Sequence, residues 1–162
     1  MSVFSTLEIE ESMTIRRATT DDFPTLLALL RDYYTEQDIW LRDSPEKTAS
    51  DLAHPQLGFF LAELDGTPAG CVLLRPLPSV PAATECKRLY VATQFRGRGL
   101  AGKLMDAAET HARRVGFDWI YLDSRAEMTT AIAMYRRRGY EEIPRFNDNA
   151  EAAIFLRKRL VE

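Results

Sequence analysis

The chain is 162 residues long, a size for one domain able to bury its own core. Its residues are 46% apolar and 28% charged, which excludes a disordered or fibrous chain, and no run approaches the roughly 18 apolar residues of a membrane span. A formal net charge of -3 leaves no basic field to recruit nucleic acid, although the arginines cluster locally.

Residues 1–12 carry Glu8, Glu10 and Glu11 and lack both a basic start and a sustained apolar segment, so they read as a disordered extension and not as an export signal. A single domain is expected over 13–162. Cys71 and Cys86 sit inside strand-like runs as small apolar groups, and two cysteines make neither a disulfide framework nor a zinc set. No metal is expected, and the cytoplasm is the default location.

Alternation over 14–18 predicts a short first strand. Thr19, Asp21 and Asp22 then supply helix-start residues, and Phe23, Leu26, Leu27, Leu30, Tyr33 and Tyr34 recur at helical steps to about Glu36, with Pro24 tolerated in the first turn. A weaker helix is predicted over 45–53 and ended by Pro55 and Gly58. Strand-like runs at 59–63 and 69–74 flank Asp65-Gly66, a pair suited to a tight hairpin. Pro76, Pro78 and Pro81 stiffen the approach to a third strand at 85–91, so these three form an antiparallel meander. A helix over 99–115, a strand at 118–122, a helix over 128–138 and strands at 140–143 and 152–157 follow. The class is α+β: a mixed, mostly antiparallel central sheet flanked by helices, in the order β-α-α-β-β-β-α-β-α-β-β.

The strand at 85–91 runs into a Gly- and Arg-rich turn and then directly into a long amphipathic helix. Amides at a helix start lack intrahelical partners and the peptide dipoles add positive potential, so an anion belongs there. Gly97, Gly99 and Gly102 spell G-x-G-x-x-G, with Asp123 about 20 residues on, the pattern of a dinucleotide site in an oxidoreductase. That fold needs a short buried strand ending at the first glycine and several strand-helix units after it. Here the strand carries Glu85, Lys87 and Arg88, and about a third of the chain remains. Gly97 to Lys103 also spells G-x-x-x-x-G-K, but Leu104 has no hydroxyl to hold magnesium.

A third pattern, Gln94-x-x-Gly97-x-Gly99 followed by Leu100 and Ala101, resembles the loop motif of the GCN5-related N-acetyltransferase family. A second motif at the right distance, Ala131-x-x-x-Tyr135-x-x-x-Gly139-Tyr140, resembles that family's later helix. The resemblance covers residues 85–140. It implies acetyl-coenzyme A as the cofactor and direct transfer of its acetyl group to a primary amine of a small molecule or peptide. It further implies that amides from Phe95 through Arg96, Gly97, Arg98, Gly99, Leu100 and Ala101 to Gly102, with Gln94 before them, grip the pyrophosphate, and that backbone groups of Leu89, Tyr90 and Val91 pair with the pantetheine arm. A non-catalytic acyl-coenzyme A-binding module is the alternative.

The reaction needs a neutral amine and a protonated leaving sulfur. An alkylamine has a pKa of about 10, so roughly one molecule in a thousand is nucleophilic at neutral pH without a base. By the resemblance Tyr135 protonates the sulfur and Glu85, at the start of the cofactor strand, activates the amine. Tyr33, Tyr34, Glu36 and Asp38 fall where the family forms its acceptor site. Met128 stands where many members carry a pantetheine-contacting asparagine, and Phe146 and Asn149 match a branch that shares this methionine. His111, on an apolar stripe with Leu100, Leu104, Ala108 and Val115, reads as a packed residue, and His54 as a loop residue. The sequence leaves the acceptor and the oligomeric state open, a homodimer included.

Overall fold

A computed structural model describes residues 12–39 and 43–162. The expected extension lies outside the described residues except for Ser12, whose amide donates to Asp65 Oδ1 (2.8 Å) and whose carbonyl accepts from the Asp65 amide (2.7 Å).

Strands β1 (Met13–Arg17), β2 (Gly58–Leu64), β3 (Thr67–Pro76) and β4 (Ala83–Val91) form consecutive antiparallel pairs. The turn between β2 and β3 uses Asp65 at φ 51 and Gly66 at φ 78, the left-handed pair that a tight hairpin requires. Strand β5 (Trp119–Ser124) then lies parallel to β4, and β7 (Ile154–Arg159) and β6 (Glu141–Ile143) complete a sheet ordered β1-β2-β3-β4-β5-β7-β6. A dinucleotide fold has a parallel sheet, so this mixed order removes that alternative. No described helix is long and apolar enough to cross a membrane.

The sheet is buried on both faces. Helix α3 (Leu100–Arg114) lays Leu100, Leu104, Met105, Ala108 and Ala112 on one face, against Phe60, Val72, Leu74, Ile120 and Leu122. Helix α1 (Phe23–Glu36) buries Leu26, Leu29, Leu30 and Tyr34 on the other, against Phe59, Leu61, Cys71 and Leu73, while α2 (Pro45–Leu52) adds Leu52. Each fully buried leucine contributes about 2 kcal/mol, so these stripes fix where both helices sit. The last helix, α4 (Thr129–Arg137), buries Tyr135.

One buried charge was not foreseen. Glu109 of α3 is 5% exposed, and its carboxylate accepts from Arg138 Nε (3.0 Å) and Nη2 (2.9 Å), Tyr140 Oη (3.2 Å) and Lys158 Nζ (2.5 Å). It ties α3 to the end of α4 and to β7. Glu109→Ala leaves Arg138 and Lys158 without their shared counter-charge and is expected to destabilise the fold by about 3 kcal/mol, measured by urea unfolding.

Candidate functional site

The site is made by a fault in the sheet. Strand β4 pairs with β3 through Lys87 opposite Leu73 and then Tyr90 opposite Cys71, so β4 holds one extra residue over that span. The extra residue is accommodated by Arg88 at φ 56, a left-handed conformation that costs a side-chain-bearing residue of the order of 1–2 kcal/mol. Burial holds it there: Arg88 Nε donates to Asp43 Oδ2 (3.0 Å) and Tyr34 Oη (3.1 Å), and Arg75 Nη2 donates to the same Asp43 oxygen (2.8 Å) and to Asp51 (2.8 Å). Burial alone would push the Asp43 carboxyl up, but Arg88 and Arg75 outweigh it and hold the group below the usual range.

Strand β4 has already parted from β5 where the bulge begins. The two pair only at Ala83–Trp119, Thr84–Ile120 and Glu85–Tyr121, whereas β5 stays paired with β7 along its whole length. The gap is an open cleft through the sheet, lined on the β4 side by Cys86, Lys87, Arg88 and Leu89 and on the β5 side by Asp123, Ser124 and Arg125. Met128, Ala131 and Tyr135 border it on the α4 side, and Tyr33, Gln37 and Ile39 on the α1 side.

The glycine turn leads to this cleft. After a 3-10 turn at Thr93–Phe95, Gly97 (φ 79) and Gly99 (φ 78) swing the chain into α3. A Cβ on either glycine would meet nothing within 4 Å, so these positions are glycine for backbone angle and for what approaches from outside. Gly99 has no capping side chain, and the first bond of the helix runs from the Lys103 amide to the Gly99 carbonyl (3.1 Å). Helix geometry therefore leaves the amides of Leu100, Ala101 and Gly102 without intrahelical acceptors at the positive end of a 15-residue helix. A diphosphate fits this donor set, and the free edge of β4 beyond Glu85 fits an extended arm.

Tyr135 lines the cleft at 7% exposure, with the Tyr140 ring edge-on at 5.6 Å. Burial, reinforced by Cys86, Tyr33 and Asp123, raises its phenol well above the ordinary tyrosine value. Such a phenol is protonated at neutral pH and suited to giving a proton to a thiolate. Leu89 also lines the cleft, Leu100 is buried beneath the turn, and Phe95 packs between the cores of both sheet faces.

The side chains of the other candidates stand outside the lining of the cleft. Glu85 does not line the cleft: it is 7% exposed, accepts from Asn147 Nδ2 (2.9 Å), and stands 3.4 Å from Lys87 Nζ, still within the paired part of β4. Arg96 is tied to the α1 side, paired with Glu36 and donating from Nε to the Val91 carbonyl (3.0 Å), so that carbonyl already has a partner. Tyr90 turns to the α1 side as well, donating to Glu36 Oε2 (3.2 Å), and burial with that carboxylate raises its phenol to about 12. Gln94 and Arg98 are exposed, the Arg98 guanidinium lying 5.9 Å from the Phe95 ring.

His111 is packed and His54 lies in a loop, as expected. His111 Nε2 lies 2.5 Å from the Gln56 carbonyl and edge-on to Phe60, and His54 Nδ1 accepts from the Gln56 and Leu57 amides.

Sequence reasoning missed the polar wall of the cleft. Asn147 Nδ2 donates to Asp123 Oδ2 (2.6 Å) as well as to Glu85, Asn149 Nδ2 donates to Asp123 Oδ1 (3.3 Å), and Lys87 Nζ lies 3.5 Å from Asp123 Oδ2. Glu85 and Lys87, two residues apart in a largely buried strand, were its legible trace, since period-two charges in a core strand must converge on partners.

The model of the acetyltransferase (GNAT) family matches residues 23–140. An uncharacterised N-acetyltransferase of Escherichia coli K12 is 28% identical over 141 residues, covering 82% of this chain and 84% of that protein. Among solved structures, a GNAT-family acetyltransferase of Staphylococcus aureus superposes with a TM-score of 0.79 at 18% identity, over 93% of this chain and all (100%) of its own. The PaiA N-acetyltransferase of Thermoplasma acidophilum, solved in complex with coenzyme A, gives 0.75 at 20% identity, over 91% of this chain and 99% of its own.

A substitution at the turn isolates its backbone requirement. Gly99→Ala adds a methyl that meets no neighbour yet must hold φ 78, so a loss of about 1 kcal/mol in chemical unfolding is expected.

Proposed function

The chain belongs to the acetyltransferase (GNAT) family, whose members use acetyl-coenzyme A, and we propose that it moves the acetyl group directly to a primary amine of a small molecule or peptide. The observation that carries this reading is the cleft between β4 and β5, which opens from the uncapped α3 turn and Tyr135 on one face of the sheet to Tyr33, Gln37 and Ile39 on the other. Cofactor and acceptor would enter from opposite faces and meet inside the sheet.

Each part of the chain then has a task. The amides from Gly97 to Gly102 hold the diphosphate, with Gly97 and Gly99 keeping Cβ atoms out of its way. The free edge of β4 at Leu89 takes the extended arm as an added strand. Met128, at the start of α4, offers only packing where a hydrogen bond worth about 1 kcal/mol would otherwise form. Tyr135 gives its proton to the departing sulfur, whose thiol resembles cysteine with a pKa of about 8.5. The raised phenol of Tyr135 keeps that proton available throughout the neutral range. Neither Cys71 nor Cys86 competes as a nucleophile, since burial holds the Cys71 thiol up at about 12 and that of Cys86 higher still, so transfer is direct.

Incubation with acetyl-coenzyme A and a panel of primary amines, read by free-thiol release, tests the reading; no amine-dependent thiol release would overturn it. Tyr135→Phe is expected to lower turnover by about 10²–10⁴-fold while coenzyme A affinity in calorimetry stays within about twofold. Gly99→Glu, which sets a carboxylate against the diphosphate, is expected to abolish coenzyme A binding altogether.

A further inference from the structure

Among the described residues lining the cleft, Asp123 is the one carboxylate. It sits at the edge of β5 where β4 has already diverged, with its side chain 11% exposed. Three neutral or cationic donors fix its orientation: Asn147 Nδ2 and Lys87 Nζ on Oδ2, and Asn149 Nδ2 on Oδ1. Asn147 also bonds Glu85 and thereby holds that carboxylate within the same wall but off the cleft lining. We propose that Asp123 is the catalytic carboxylate that receives the acceptor ammonium in the cleft and takes its proton, a role that rests on the acetyl-transfer reading above.

The local charges favour a cation at this place. Glu85 and Asp123 share the single ammonium of Lys87, so the wall carries one negative charge in excess. Arg88 faces the same space from β4, but its charge is met by Asp43 and Tyr34. Arg125, two residues along from Asp123, donates to the Gln37 carbonyl (3.0 Å) and lies 3.6 Å from Glu127. From α4 and α1 the facing groups are Tyr135 and Tyr33, and from β4 also Cys86. Burial keeps Tyr135 and Cys86 in their neutral forms. An incoming ammonium thus completes the balance of the wall beside the phenol that serves the sulfur.

The step balances. Asp123 takes a proton from the ammonium, and the electron pair of that N–H bond attacks the thioester carbonyl carbon. The C–S bond breaks and the sulfur takes the proton of Tyr135. Two protons leave the nitrogen in all: one passes to water by way of Asp123, and the other replaces the proton that Tyr135 has given up.

The test compares wild type with Asp123→Asn and Asp123→Glu, using n-butylamine, with a lysine-like pKa of about 10, and glycinamide, with an α-amino-like pKa of about 8. Asp123→Asn is expected to lower kcat/KM for butylamine by about 10²–10⁴-fold and to abolish the acid limb of the pH profile. For glycinamide, which needs less help to lose its proton, the loss is expected to be smaller by about tenfold or more. Coenzyme A affinity stays unchanged, and Asp123→Glu recovers part of the butylamine rate. Equal rates in wild type and Asp123→Asn would overturn the assignment, leaving acetyl transfer itself intact. Equal losses for both amines with the acid limb retained, or a parallel loss of coenzyme A affinity, would also overturn it by reducing Asp123 to a structural role. A wild type that acetylates neither amine would sink the transfer reading and this assignment together.

Discussion

The structure turns on one extra residue in β4. Strand β4 parts from β5 after three residue pairs, and the extra residue, with Arg88 in a left-handed conformation, lies in the stretch of β4 that borders the resulting cleft. That conformation is unfavourable for arginine in isolation by the order of 1–2 kcal/mol. It is offset by the ion pair with Asp43, whose loss would leave a buried charge uncompensated at a cost of about 3–5 kcal/mol. Asp43 in turn depends on Arg75, and Arg75 on Asp51 of α2. The Arg88 side of the cleft is thus backed by a buried chain of charges running from α2 to β4.

The two faces of the sheet do different electrostatic work. On the α3 side stand an uncapped helix start, which attracts an anion, and a phenol kept protonated by burial. On the opposite side stand paired carboxylates with one charge to spare. On the function proposed, the first arrangement takes a cofactor that carries phosphates at one end and a thioester at the other, and the second takes an ammonium. Neither group has to reorganise for the reaction, because each is fixed by packing or by hydrogen bonds before a substrate arrives.

Glu109 couples the first of these arrangements to the fold. It anchors Arg138, which also donates to the Gly102 carbonyl (3.3 Å) in the first turn of α3, and it holds Tyr140, whose ring edge abuts Tyr135. The start of α3 and the phenol therefore share one buried carboxylate, so their separation is set by the core and not by loops.

Much of this was determined by the sequence alone, because it rests on signals local in the chain. Leu26, Leu30 and Tyr34, or Leu100, Leu104 and Ala108, set helices by their spacing; Asp65-Gly66 set a hairpin; Gly97 and Gly99 before a helix marked a candidate anion site; and the spacing of Ala131, Tyr135 and Gly139 marked Tyr135 through its resemblance to a family motif. What tertiary structure decided is where distant polar residues meet. Asp123 read as the acid about 20 residues beyond a glycine pattern, and nothing local marked Asn147, until the pairing of β5 with β7 brought residues 144–153 against β5. Arg88 read as one more charge in a strand, since no local pattern reports a bulge whose compensating partner, Asp43, lies 45 positions away. Ion pairs and register shifts depend on contacts between segments far apart in sequence, so the opening in the sheet and the carboxylate beside it became visible only in three dimensions.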